Sequence, residues 1–293
     1  MWNLINLRDH HEKEIKWKNS TLRNVKNQGA KIAGFFALLF MLAVLVSIFG
    51  YILHGGAYHI TLRMFTTYGN TTTGGLLNAI IGTWLLVGMG LLFSVPSGVL
   101  GALYNVQSTS STRIRSVTRL FTDILTSVPS IVIGLFGYLV LVIRFDMGFS
   151  LLAGGIALGI MMLPYVMRIS EISMKNVPQE QVNNAYALGA DRIQVASRIY
   201  LPQARAGIIS GILLAIGIAA GETAQLLYTA GWNNALPSGF MKSQVAYLTY
   251  VVWYGINQPS SYAHELAFAS ALILIIMVTV LISISKFVGR KRV

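Results

Sequence analysis

The chain has 293 residues, 54% of them hydrophobic, 11% charged and none cysteine, with a formal net charge of +12 and a mean hydropathy of +0.62. A soluble domain carries about 25% charged residues to wet its surface, so so small a charged share turns much of this surface toward lipid. The lack of cysteine excludes disulfides, thiolate metal sites and a Cys nucleophile. The five histidines (His10, His11, His54, His59, His264) form no HExxH pattern and no cluster with carboxylates, and there is no GxGxxG or Walker A loop. The chain is therefore expected to bind no metal, cofactor or nucleotide of its own.

Residues 1–29 are polar and basic with scattered Trp2, Leu4, Ile5 and Trp17, as in a short helix lying on a membrane surface. Residues 30–53 follow as a first apolar span, too long for a signal-peptide core. Further spans are expected at 76–104, 120–143, 147–167, 206–228 and 266–288, each near the roughly 20 residues that cross the hydrocarbon as a helix. The third and fourth are separated only by the residues around Arg144, Phe145 and Asp146, which forces a tight hairpin. The predicted fold class is an all-α membrane protein of about six transmembrane helices.

Lysine and arginine set the orientation. Groups of seven, three, five and four fall in the N-terminal tail, around Arg113–Arg119, between Arg168 and Arg205, and at the C-terminus, against three on the other side (Arg63, Arg144, Lys242). The positive-inside rule puts the rich side, and both termini, in the cytoplasm. The same asymmetry explains the net charge with no appeal to nucleic acid. Two longer connections remain: 169–205 in the cytoplasm, and 229–265 outside, which reads as a partly buried loop or short re-entrant element.

The cytoplasmic connection is the most informative stretch. Pro178 can open a helix running to Leu188, and Gly189 suits the left-handed residue that ends it. Asp191 and Gln194 are spaced as a capping box for a second short helix, expected to stop at Leu201-Pro202. Val182, Ala185, Ile193, Ala196 and Ile199 offer an apolar face. The segment Ala185-Tyr186-Ala187-Leu188-Gly189-Ala190, followed by Asp191 and the distal Leu201-Pro202, resembles the EAA loop of ABC-importer permeases, with Asn184 in place of the acidic residue that names the motif. In that family the loop docks on the ATP-hydrolysing subunit, so residues 185–191 are the expected ATPase-coupling residues.

Further motifs narrow the resemblance. Leu163-Pro-Tyr-Val-Met-Arg168 with Glu171, the run Asp123 to Gly134, and Gly221-Glu-Thr-Ala224 are similar to the PstA-type permeases of phosphate importers over about residues 76–289. The resemblance implies a type I (MetI-like) permease core in a bacterial or archaeal cytoplasmic membrane. It also implies a PstC-like second permease, a PstB-like ATPase dimer and a PstS-like extracytoplasmic binding protein as partners, and no enzymatic activity in this chain.

Glu222 is expected well inside the fifth span, on a face shared with Gly207, Gly211, Ala215 and Ala219. A carboxylate at membrane depth costs about 2.5 kcal/mol or more and normally faces a bundle interior or a wet cavity. It either pairs structurally with a neighbouring permease or lies beside the substrate path. Ser-Val-Pro-Ser occurs at 94–97 and 127–130, either as kinked packing helices or, at Ser127 and Ser130, as donors to an oxyanion. Candidate pathway residues are thus Glu222, Thr223, Arg168, Ser127 and Ser130. Ile218 stands where the resembled family has Arg four residues before its Glu. That leaves phosphate the first expectation, with molybdate, sulfate or another small polar nutrient as alternatives, and a non-transporting scaffold or sensor as the reading from another class.

Overall fold

The computed structural model describes the backbone of residues 2–69, 74–107 and 112–290, and the side chains of 28–69, 74–107, 113 and 116–284. The side chains of residues 1–27, where most of the expected interfacial tail 1–29 falls, of Arg115 and of Arg290 to Arg292 lie outside the described residues. Residues 1–54 and 55–293 form two units.

The first unit belongs to one long helix, α1 (Trp2–Ala57). Its apolar part, Gln28–Ala57, is long enough to cross a bilayer, and residues such as Phe36, Phe40 and Val46 are exposed along it.

Among its described residues the second unit has helices and connecting loops but no strand: α2 (Leu62–Thr66), α3 (Leu77–Gln107), α4 (Thr112–Ser127), α5 (Ser130–Gly137), α6 (Leu151–Lys175), α7 (Gln179–Ala187), α8 (Arg192–Val195), α9 (Leu201–Ala220), α10 (Ala224–Thr229), α11 (Leu248–Ile256) and α12 (Ser261–Arg290). Four stretches here are long and apolar enough to span: α3, α6, the run Arg192–Ala220 and Ser261–Ile284.

The core is built on α3, α6 and α9, and small residues let them close. A Cβ on Gly90 would sit 3.1 Å from the Leu158 Cβ, and one on Gly98 3.1 Å from the Val166 Cβ, so α3 and α6 meet almost backbone to backbone. The stripe expected on the fifth span serves the same purpose toward α6: Gly207 faces Ser173, Gly211 faces Ile169, and Ala215 and Ala219 are buried. In lipid there is no hydrophobic drive between helices, so this close dispersion contact holds the bundle.

Three elements depart from the expected spans. The third is not one straight helix: residues 116–127 and 130–144 meet at 99°. Pro129 has no N–H to continue the helix, and its ring disfavours the helical region for Val128. The hydroxyls of Thr126 and Ser127 donate to the Asp123 carbonyl at 2.9 and 2.7 Å and satisfy the end of α4. Beyond the bend, the 8 residues of α5 and the 7 of a π-helical continuation, Tyr138–Arg144, rise about 20 Å, short of the roughly 30 Å hydrocarbon. The other Ser-Val-Pro-Ser stays within α3, where the Ser97 hydroxyl donates to the Phe93 carbonyl and α6 packs alongside.

The second departure is in the fifth span. Helix α9 ends at Ala220, residues 221–223 are non-helical, and α10 resumes at Ala224. Glu222 therefore lies at a break and not inside a helix. The third concerns Leu201-Pro202, which does not stop the chain. A π-helical stretch, Ala196–Tyr200, carries α8 directly into α9. Pro202 follows that π-helical stretch directly, as the second residue of α9.

The external connection contains α11, a nine-residue helix between α10 and α12. The hairpin after residue 144 turns through positive φ at Asp146 (52°) and Gly148 (62°), and Ser150 caps α6 by accepting from the Ala153 N–H at 3.2 Å. Asp146 is ion-paired with Lys242 of the external connection.

Candidate functional site

The described side chains bring the sequence candidates together at two places. The first is the turn between α7 and α8. Gly189 has φ +83°, a conformation a Cβ disfavours. Around it the Ala190 N–H donates to the Ala185 carbonyl and the Gly189 N–H to the Tyr186 carbonyl, both at 3.0 Å, which satisfies the free carbonyls at the end of α7. Asp191 then opens α8 with both halves of a capping box: its carboxylate accepts from the Gln194 N–H at 2.7 Å, and its own N–H donates to the Gln194 side chain at 3.1 Å.

This rigid elbow rests on the bundle through Val182, Val195 and Tyr200, which pack with Ala102, Met174 and Val177. Ala185 and Ile199 join them in part. Of the five residues expected to share one apolar face, Ile193 does not join this packing. On α8 it is Val195 that points inward, and Ile193 is 78% exposed; Leu188, at the end of α7, is 89% exposed. With Tyr186 also exposed, the elbow presents three uncovered apolar side chains beside the Gly turn.

The second place is the pair of chain breaks. Glycine sets their relation: a Cβ on Gly134 would lie 2.6 Å from the Gln225 Cα, and one on Gly137 2.8 Å from the Thr229 methyl. These two contacts run α5 and α10 parallel, so the breaks that precede them, at Val128-Pro129 and at 221–223, open at the same end of the pair. Ser127 and Ser130 flank one break, and Glu222 and Thr223 lie in the other. Ser127 is exposed, while Ser130, Glu222 and Thr223 are half-buried. Among the described residues the Glu222 carboxylate makes no hydrogen bond or ion pair, while its backbone carbonyl accepts from the Thr249 hydroxyl at 2.8 Å.

Arg168 is farther along, on α6. It pairs with Asp123 of α4 at 3.2 Å, one helical turn before Ser127. Beside this pair is Glu171, which the 163–171 motif named without giving it a role. Glu171 is buried to 8% exposure, ion-paired with Lys175, 3.4 Å from the Arg119 guanidinium, and accepts from the Asn105 amide at 3.0 Å. Thus α3, α4 and α6 converge on one carboxylate. A cavity of about 270 Å³ opens there, with Arg119, Arg168 and Lys175 set against Asp123 and Glu171. The Glu171–Lys175 spacing of four was legible in the sequence. Asn105 and Arg119 come from distant helices and carry no local signal.

Across α4 from this polar cavity is a wholly apolar hollow of about 390 Å³, lined by Phe121, Leu125 and Val128 with Ile160 and Leu163 of α6. Helix α4 is thus polar on one edge and apolar on the other. Among the described residues no group of three or more His, Asp or Glu side chains is placed to hold a metal ion.

Residues 94–292 match the family model of the binding-protein-dependent transport system inner membrane component. Among similar proteins is the phosphate transport system permease protein PstA 2 of Mycobacterium bovis, 41% identical over 234 residues, 79% of this chain and 76% of the relative. Another is the phosphate transport system permease protein PstA of Yersinia pestis, 34% identical over 282 residues and 95% of each chain. The fold is shared with an inward-facing MetNI methionine ABC transporter, with a TM-score of 0.57 at 17% identity over 79% of this chain and 98% of that one. The helical architecture, the family match and the relatives, alike over most of their length, agree: this chain belongs to the binding-protein-dependent transport system inner membrane components, with the PstA-type permeases as its kin.

Proposed function

We propose that this chain is the permease subunit of an ATP-driven importer that carries inorganic phosphate into the cytoplasm. It is a multi-pass membrane protein, and the proposed location is a bacterial or archaeal cytoplasmic membrane. The observation that carries the reading is the pair of PstA-named relatives, alike over most of both chains. The permease hydrolyses nothing itself. An ATPase and a substrate-binding protein are the partners of such an importer, and the specific assembly we propose is a PstC-like second permease, a PstB-like ATPase dimer and a PstS-like binding protein.

The elbow at 185–191 is the transmission element in this reading. Its inner face is locked to the bundle at Val182 and Val195, while Leu188 and Ile193 stand free to fill a groove on the ATPase. Closure of the ATPase dimer moves the elbow, and because α8 runs without interruption into α9, the push travels along that helix to the break at Glu222. A bend or break is where a helical bundle can change shape at least cost in hydrogen bonds. Ser127, Ser130, Glu222, Thr223 and Arg168 line the proposed path.

Glu222 does not bind an anion as a bare carboxylate. It either orients a cation of the second permease or carries a proton as the anion passes. The second reading, a permease for molybdate, sulfate or another small oxyanion, is favoured by one observation: Ile218, one turn before Glu222, packs against the hydrophobic core where the phosphate family carries Arg.

The test is ATP hydrolysis by the purified complex in nanodiscs with binding protein loaded with phosphate, molybdate or sulfate. Phosphate-loaded protein raises the rate in the first reading. Stimulation by molybdate or sulfate alone establishes the second.

A further inference from the structure

We propose that Thr249 of the external helix α11 is a positioning residue for Glu222, fixing the direction of that side chain through the backbone; the role rests on the reading of Glu222 as a pathway residue. Glu222 is in a three-residue interruption where no helix continues the hydrogen-bond ladder. Its N–H still donates backwards to the Ala219 carbonyl at 3.1 Å. Its carbonyl has left the α9 ladder and accepts from the Thr249 hydroxyl at 2.8 Å. Both backbone polar groups of Glu222 are therefore held, one by its own helix and one by α11. That fixes its Cα–Cβ direction even though the carboxylate has no partner among the described residues.

Thr249 is suited to this by its own anchorage. It is buried, at 6% exposure, in the first turn of α11. The preceding N–H, of Leu248, donates to the Thr83 hydroxyl of α3 at 3.0 Å, and that hydroxyl in turn donates to the Ala79 carbonyl at 2.7 Å. One turn of α11 thus braces the break against α3. An unsatisfied carbonyl at membrane depth is costly, so the Thr249 hydroxyl also removes the main penalty for keeping the helix open there. The next residue, Tyr250, stacks on Trp232 at 4.5 Å and on Tyr254 at 5.8 Å, which stiffens α11 from its outer side.

The experiment uses the whole importer in proteoliposomes, with Thr249→Val, Thr249→Ser, Glu222→Gln and the double variants. Losing one buried hydrogen bond lowers the maximal uptake rate per assembled complex by about tenfold in Thr249→Val. The half-saturating substrate concentration stays put, because the external binding protein sets it. Ser, which keeps the hydroxyl, restores most of the rate. In the Glu222→Gln background, Thr249→Val changes the residual rate by less than about twofold, the non-additivity expected when one residue acts through another.

Hydrogen exchange over residues 221–226 of the same complexes gives a readout independent of the cargo. It speeds up in Thr249→Val and not in Thr249→Ser. Equal exchange in all three forms, Ser behaving as Val, or equal losses in both Glu222 backgrounds overturns the proposal. If wild-type vesicles take up sulfate or molybdate and no phosphate, the phosphate reading falls while the exchange comparison still decides the role of Thr249.

Discussion

The guanidinium of Arg168 lies 3.2 Å from the carboxylate of Asp123 and so ties α6 to α4 one turn before the chain bends through 99°. Both side chains are more than half exposed, and exposed pairs contribute only about 0–1 kcal/mol to stability. The pair is therefore expected to matter for transport more than for folding. Arg168→Gln should leave the thermal midpoint of the detergent-solubilised complex within a few degrees of wild type while uptake falls at least about tenfold. A matched loss of midpoint and uptake would assign the pair a structural role instead.

Glu171 should behave in the opposite way. It is buried and shared among Lys175, Arg119 and Asn105. Arg119 and Lys175 are each about half exposed and rehydrate when the carboxylate is lost, but the buried Asn105 amide is left without its acceptor, at a cost of about 1–3 kcal/mol. Glu171→Ala is expected to reduce the yield and lower the unfolding midpoint of the complex, read by fluorescence-detected size exclusion on heating. Glu171→Gln, which can still accept from Asn105, should recover part of the loss.

At Gly189 the backbone has φ +83° with open space around it, so a substitution meets strain and no clash. A β-branched residue there costs about 1–3 kcal/mol of local strain. Gly189→Val should insert and assemble in the membrane yet hydrolyse ATP without driving uptake. Wild-type coupling, measured as anion transported per ATP, would refute the transmission role of the elbow.

Leu188 and Ile193 offer a complementary test from the surface. Both are largely exposed and support no internal packing, so Leu188→Ser and Ile193→Ser should leave the permease stable. If they fill a groove on the ATPase, each should weaken its retention during purification, since burying such a side chain is worth about 1.5–3 kcal/mol. Unchanged ATPase stoichiometry in both variants would move the docking surface elsewhere.

The membrane class, the hairpin at Asp146 and the Gly189 elbow were legible in sequence because each rests on local signals: apolar length, turn residues and caps. The bend at Pro129 was less so. The same Ser-Val-Pro-Ser is absorbed within α3 at 94–97, where close contact with α6 through Gly90 and Gly98 keeps the helix intact. Propensity could not separate the two cases. The break at 221–223 was hidden for a similar reason: residues 206–228 read as one apolar run, and the carbonyl released there finds its partner at Thr249, 27 residues away. The Glu171 cluster draws Asn105 and Arg119 from separate helices, a tertiary coincidence to which no period points. Ile193 faces outward because Val195 is the residue of α8 that packs on Ala102, Met174 and Val177, a choice made by tertiary contact and not by local spacing.

The central claim is tested most directly by uptake of radiolabelled phosphate into proteoliposomes holding this permease with its partner permease, ATPase and binding protein. The account predicts ATP-dependent accumulation of phosphate that excess unlabelled sulfate or molybdate does not suppress and that Glu222→Gln impairs. Accumulation of sulfate or molybdate in place of phosphate, or none of any oxyanion by an assembled, ATP-hydrolysing complex, would contradict it.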